Sequence, residues 1–209
     1  MTEAGANTVE CWGYDLDGQS TPPSGTFESV SGGFYHTCGV TSSGSVECWG
    51  QDTFGQSTPP SDTFRSVSAG GWHSCGVRSD DDVLCWGSND EGDQSTPPTG
   101  AFQSVSAGYY HSCGVRTVGS VDCWGLKDDG RASPPPDAFQ SVSAGSSHTC
   151  GLKTDGTVLC WGNNTYGQST PPPGTFESVS AGGDHSCGLR ANKTVECWGL
   201  DDDDQSTPP

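Results

Sequence analysis

Apolar residues in this chain fall in short clusters that return at a fixed spacing, and no window shows the three-to-four-residue spacing of a helix. In the first complete unit the clusters are FESVS (27–31), YHTCGV (35–40) and SVECWG (45–50). The first alternates poorly but carries two apolar anchors, Phe27 and Val30. The pair Gly32 and Gly33 separates it from the second cluster, and a turn centred on Ser43 and Gly44 separates the second from the third. Glycine after a polar residue at such a place supplies the positive φ that a hairpin turn requires. The unit closes on a loop of the form x-D/N-x-x-G-Q and on STPP. Proline has no N–H to give to a ladder, so this closing segment is an edge or a connection. The pattern predicts three or four short strands per unit.

The period sets the architecture. CWG occurs six times, with its indole at Trp12, Trp49, Trp86, Trp124, Trp161 and Trp198, at gaps of 37, 37, 38, 37 and 37 residues. His-x-Cys-Gly occurs five times, beginning at His36, His73, His111, His148 and His185. A period this short means one supersecondary unit copied in tandem. Five complete units span 24–60, 61–98, 99–135, 136–172 and 173–209, and residues 1–23 read as the second half of a sixth. Helical solenoids are excluded, and β-helix coils are usually shorter. The expectation is an all-β protein whose repeats are arranged radially, as in a β-propeller.

Eleven cysteines occupy only two repeat positions, ten residues apart in each full unit. A three-residue loop around 42–44 sets Val40 opposite Val46 and Cys38 opposite Cys48. Directly opposed residues have Cβ atoms about 4.5–5.5 Å apart, near disulfide reach. The expected bridges are Cys38–Cys48, Cys75–Cys85, Cys113–Cys123, Cys150–Cys160 and Cys187–Cys197, with Cys11 unpaired. The chain has no Ile, seven Leu and thirty-one Gly, so covalent staples stand in for a deep aliphatic core. Such density implies an oxidising compartment, outside the cell or at its surface. The competing reading is a metal held by His36, Cys38 and Cys48. There is no C-x-x-C knuckle, and three ligands from one hairpin leave zinc open. No metal is therefore expected there.

The segments AGGWHSCGV (69–77), VLCWG (83–87) and NNTYGQ (163–168) resemble repeats of the regulator of chromosome condensation family of β-propellers, in a short, disulfide-containing, secreted form. The resemblance covers the whole chain and implies the propeller fold. It says little about function, because the family includes nucleotide-exchange factors, photoreceptors and inhibitors of β-lactamase. The repeats here lack the long insertions that carry exchange activity, and only five Arg are present, against the dense Trp and Arg cluster of the photoreceptors. Family propellers commonly have seven blades. This leaves three alternatives: a smaller ring, an open arc, or a part of the protein beyond this sequence.

Net charge is −18, from 26 acidic and 8 basic residues, and no basic stripe is available to displace counterions from a phosphate backbone. Nucleic acid is not an expected partner. No hydrophobic run approaches membrane-spanning length. The start, MTEAGAN, has neither a basic stretch nor an apolar one, so an exported form implies a signal already removed or a start other than Met1.

Residues present in every repeat are read as structural. The histidines are expected to bond backbone between strands, and the CWG tryptophans to wedge between blades. The pair before each His is different, because it varies. It carries Phe34 and Tyr35, Trp72, or Tyr109 and Tyr110, where other units have Ser146 and Ser147 or Gly183 and Asp184. These five aromatics are the candidate binding rim. Acidic loops at Asp15 and Asp17, Asp80 to Asp82, Asn89 to Glu91, Asp128 and Asp129, and Asp201 to Asp204 have carboxylates suited to calcium, but none matches the twelve-residue calcium loop. Local turn bonding explains the same residues. Asn163 and Asn192 head glycosylation sequons. No Ser-His-Asp order, phosphate loop or nucleophile elbow stands out from the repeat.

The expectation is therefore a non-enzymatic extracellular recognition module that needs no cofactor and binds a protein or glycan through the loops of one face. The alternative is a structural subunit joined head-to-tail through its N-terminal half repeat into a homo-oligomer or filament, with Cys11 near the junction.

Overall fold

The computed structural model describes residues 8–90 and 92–208. Residues 1–7, the start of the half repeat, and Glu91 of one acidic loop lie outside them. Among the described residues fifteen strands form five three-stranded antiparallel sheets, each of three strands consecutive in sequence. The first sheet is β1 (Phe27–Gly32), β2 (His36–Thr41) and β3 (Val46–Gly50). The second is β4 (Phe64–Ala69), β5 (His73–Arg78) and β6 (Val83–Gly87). The third is β7 (Phe102–Ala107), β8 (His111–Arg116) and β9 (Val121–Gly125). The fourth is β10 (Phe139–Ala144), β11 (His148–Lys153) and β12 (Val158–Gly162). The fifth is β13 (Ser178–Ala181), β14 (His185–Leu189) and β15 (Val195–Gly199).

The poor alternation of FESVS has a local cause. Phe27 pairs with Thr41 but Ser29 pairs with Val40, so the strand is bulged at Glu28, and the same shift recurs in β4, β7 and β10. The turn between the second and third strands needs a positive φ. Gly44, Gly119 and Gly156 supply it in three sheets, and Asp81 and Lys193 adopt it in the other two.

Cysteines face one another across each hairpin, Cys38 with Cys48 and likewise in every sheet. The five bridges join pairs whose Cα atoms are 4.0–4.1 Å apart. A bridge closing so short a loop stabilises by about 3 kcal/mol on the chain-entropy model. Cys11 is free.

The core lies between blades. Cys38, Val40 and Val46 of the first sheet meet Phe64, Ala69 and Trp86 of the second. Cys75 and Cys85 meet Phe102, Ala107 and Trp124 of the third, and Cys150, Leu152 and Cys160 meet Phe176 and Trp198 of the fifth. Backbone bonds pass along the same series, from Phe34 N–H to Gly70 O, Gly71 N–H to Gly108 O, Tyr109 N–H to Gly145 O, and Ser146 N–H to Gly182 O. The blades must approach closely for this. A Cβ on Gly70 would lie 2.4 Å from Gly108 O, and one on Gly108 2.5 Å from Gly145 O. Among the described residues the series ends at Gly182, and no such bond returns from the fifth blade to the first.

The half repeat differs from the expectation. Residues 8–13, TVECWG, match the third-strand sequence but form no strand. In each of the five sheets the equivalent sequence is paired with a His-x-Cys strand. Trp12 is accordingly 87% exposed and Leu16 81%. The loop that follows is docked, since Thr37 Oγ1 donates to Gln19 O.

Candidate functional site

The repeat histidines and tryptophans build the joints. His36 Nε2 lies 2.7 Å from Ser74 Oγ of the next blade, and the same pairing joins His73 to Ser112, His111 to Thr149 and His148 to Ser186. The hydroxyls of Ser74, Ser112, Thr149 and Ser186 donate in turn to the backbone carbonyls of Gln56, Gln94, Arg131 and Gln168. Each hydroxyl proton is thus committed, so each hydroxyl accepts from His, and the neutral imidazole carries its proton on Nε2. The same carbonyls accept the indole N–H of Trp86, Trp124, Trp161 and Trp198. The expected backbone partner of His is therefore replaced by a hydroxyl, because the residue after each His in the next unit is Ser or Thr and points across the joint.

Burial holds these imidazoles neutral. It lowers His36 and His148 from 6.5 to about 4 and His73 and His111 to about 3. Their Nδ1 atoms have no partner. The histidines are joints spread along the arc, and they do not converge on a reaction centre. Among the described residues, no three His, Cys, Asp or Glu are placed to hold a metal ion. The acidic loops bond themselves. Asp15 accepts from Ser20 N and Thr21 Oγ1, Asp52 from Ser57 N and Thr58 Oγ1, and Asp201 from Ser206 N and Thr207 Oγ1. Asn163 Oδ1 accepts from Gln168 Nε2 and Thr165 N, and Asn192 Oδ1 accepts from Thr194 N and Oγ1 in an exposed turn.

The variable aromatics do converge. Tyr35 stacks on Trp72 at 4.4 Å between ring centroids, Phe34 meets Tyr109 edge-on at 4.6 Å, and Tyr109 meets Tyr110 at 4.4 Å. Trp72 and Tyr109 meet at 6.3 Å. Rings from three successive blades thus form one continuous patch. A hydrogen bond with Tyr109 raises the Tyr35 phenol above its ordinary value. Phe34 is 46% exposed and the other four are half-buried. A sixth ring, Phe54, was not a sequence candidate. It sits 5.5 Å from Trp72 on the closing loop, 45% exposed. Its position is also variable, holding Asp17, Asp129, Asp203 or Tyr166 in other loops, and the rule that found the rim finds Phe54 there as well.

A family model for the regulator of chromosome condensation (RCC1) repeat matches residues 27–56, 64–93, 102–131, 139–168 and 176–205. The chain belongs to the RCC1 repeat family. Its repeats are similar in structure to the entire ectodomain of the receptor kinase CR4 from Physcomitrella patens, at 29% identity and a TM-score of 0.80, covering 93% of this chain and 57% of that one. The CRINKLY WD40 ectodomain of the Arabidopsis thaliana receptor kinase ACR4 is 30% identical with a TM-score of 0.71, covering 87% of this chain and 68% of that one. Prp20p from Saccharomyces cerevisiae, a structure reported with its binding properties to Gsp1p and histones, shares the fold at 17% identity and a TM-score of 0.75, over 88% of this chain and 59% of that one. The RCC1 repeats here thus span a little over half of the moss ectodomain. No curated protein matches the sequence. Among the described residues, no helix is long and apolar enough to cross a membrane.

Proposed function

We propose that this RCC1-repeat chain is a non-enzymatic extracellular recognition module that binds a protein partner through the aromatic face. The observation that carries the reading is the contact of Phe34, Tyr35, Trp72, Tyr109 and Tyr110, which joins variable positions of three blades into one patch. Aromatic side chains dominate binding energies at interfaces, and these rings are contiguous and only partly covered, with Phe34 the most open. Five intramolecular disulfides and the likeness to two receptor ectodomains support an extracellular location. The test is capture of partners from the extracellular medium and cell surface of the source organism, comparing the wild type with a Trp72→Ser, Tyr109→Ser, Tyr110→Ser variant whose near-ultraviolet circular dichroism shows it folded. Partners held by the wild type should be lost by the variant. An unchanged set of partners refutes the reading.

A second reading, head-to-tail self-association, is favoured by two matched groups. Among the described residues, His185 on the fifth blade has no hydroxyl partner and Thr37 on the first has no imidazole, while the four joints between them all pair these positions. Cys11 lies at the first-blade end, in a 550 Å³ cavity shared with Trp12, Tyr14 and Thr37. Joining two copies requires residues 14–20 of one to yield to residues 201–206 of the other, since both are loops of one kind. Light scattering should show concentration-dependent growth that His185→Ala abolishes, and a monomer at high concentration sinks the reading.

A further inference from the structure

Beside the aromatic patch is a cavity of about 180 Å³ lined by Phe54, Trp72, Tyr110, Ser88 and Asp90. Three features set it apart. Its walls are three aromatic rings from three separate segments, with Phe54 nearly perpendicular to Trp72 at 81° and Tyr35 stacked on Trp72 to hold the indole in place. Its lining includes one carboxylate, Asp90, which has no cationic partner among the described residues. Its volume is below the roughly 300 Å³ at which sites for drug-sized ligands begin, so it suits a head group and not a whole ligand.

We infer that this cavity binds a quaternary ammonium group. The inference rests on the aromatic face being a recognition surface and names the chemistry it recognises. A ring face presents the negative end of its quadrupole, so several rings around a small space attract a cation, and the attraction grows when the cation is desolvated. The kind of cation follows from the polar groups available. A primary ammonium has three N–H donors that each require an acceptor on burial. This lining offers three rings, one carboxylate and the hydroxyls of Ser88 and Tyr110, and Ser88 Oγ already accepts from Asp90 N and Gln94 Nε2. A quaternary ammonium has no N–H, so it leaves no donor unsatisfied, and its methyl groups pack on the rings while Asp90 balances the charge. The net charge of −18 raises the local concentration of any cation. A phosphate-bearing or carboxylate ligand is disfavoured on the same ground.

The segment that completes the cage is specific to the second unit. Its closing loop is one residue longer than the others, which is why Trp86 and Trp124 are 38 residues apart where the neighbouring gaps are 37, and the loop carries Asp90.

The experiment titrates the full chain, disulfides intact, with tetramethylammonium and choline, and in parallel with 3,3-dimethylbutan-1-ol, which has the shape of choline without its charge. Tryptophan fluorescence and calorimetry read binding. Choline and tetramethylammonium should bind saturably, with the neutral isostere at least about 10-fold weaker. Asp90→Asn should weaken the cations several-fold and leave the isostere unchanged. Phe54→Ala should remove binding, and its half-exposed ring makes it the variant of choice should Trp72→Ala fail to fold. Equal binding of cation and isostere, or no cation binding by the folded protein at tens of millimolar, overturns the inference. A peptide bearing trimethyllysine, set against free choline, distinguishes a side chain from a small molecule as the source of the group. Loss of partner capture in the aromatic variant, together with absent choline binding, defeats this inference alone. Choline binding with unchanged partner capture defeats the recognition reading alone.

Discussion

Lowering the pH from 7 to 5 should destabilise this protein steeply. Four joints each bury a neutral imidazole, and burial holds the folded values at about 4 for His36 and His148 and about 3 for His73 and His111, against 6.5 when unfolded. Below pH 6.5 the unfolded chain takes up a proton at each of these sites and the folded chain does not. The unfolded state therefore binds more protons, and stability falls as the pH falls, from 6.5 down to the folded values. Each pH unit in that window costs about 1.4 kcal/mol per histidine. At pH 5 this is about 2 kcal/mol each and about 8 kcal/mol for four, comparable with the roughly 5–15 kcal/mol that holds a typical domain together. The cost has a local cause, because a second proton would sit on Nδ1, which has no acceptor. Ordinary carboxylates titrate near pH 4, so the change between pH 7 and pH 5 belongs to the histidines. The assay is urea unfolding followed by tryptophan fluorescence at both pH values, with disulfides intact. His111→Gln should lower stability at pH 7 and shrink the difference between the two pH values by about 2 kcal/mol. A midpoint that is unchanged or higher at pH 5 refutes the argument.

Full reduction should raise the intact mass by ten hydrogens, and peptide mapping should place each bridge within one hairpin, and ten titratable thiols in the folded, oxidised protein would contradict this. Gly70→Ala should cost on the order of 2–4 kcal/mol, since its Cβ would lie 2.4 Å from the Gly108 carbonyl and both blades would have to part, and an unchanged melting temperature would show that the contact is not needed.

The fold and the bridges were legible because each follows from spacing alone. A 37-residue period with strand-sized apolar clusters permits few architectures, and ten residues around a short turn put two cysteines face to face. The register of one hairpin also determines which residues of a blade face its neighbour. What could not be read depended on a partner outside the segment. TVECWG at residues 8–13 matches the pattern of β3 and β15, yet it forms no strand, because a strand is a property of a pair. The hydroxyl partner of each histidine comes from the next unit, although the Ser or Thr that follows every repeat His was in plain view. The rim aromatics were visible as departures from the repeat. Their mutual contact depended on how far the blades stand apart, and Phe54 lay hidden in a loop whose other residues serve turn chemistry.

Among the described residues every covalent bridge closes within its own hairpin, and none crosses from one blade to the next. A gene encoding such a chain can therefore gain or lose a whole unit by recombination without separating any bridged pair. Each hairpin can oxidise as soon as its two cysteines, ten residues apart, have reached an oxidising compartment, with the same partner whatever follows it. Errors of pairing between units are disfavoured because the correct partner is always the nearest in sequence. The joints between blades carry no such record of origin. Their polar part repeats one pattern of imidazole, hydroxyl and carbonyl from blade to blade. The variable aromatic positions can then diverge one unit at a time, without disturbing the bridges or the joints.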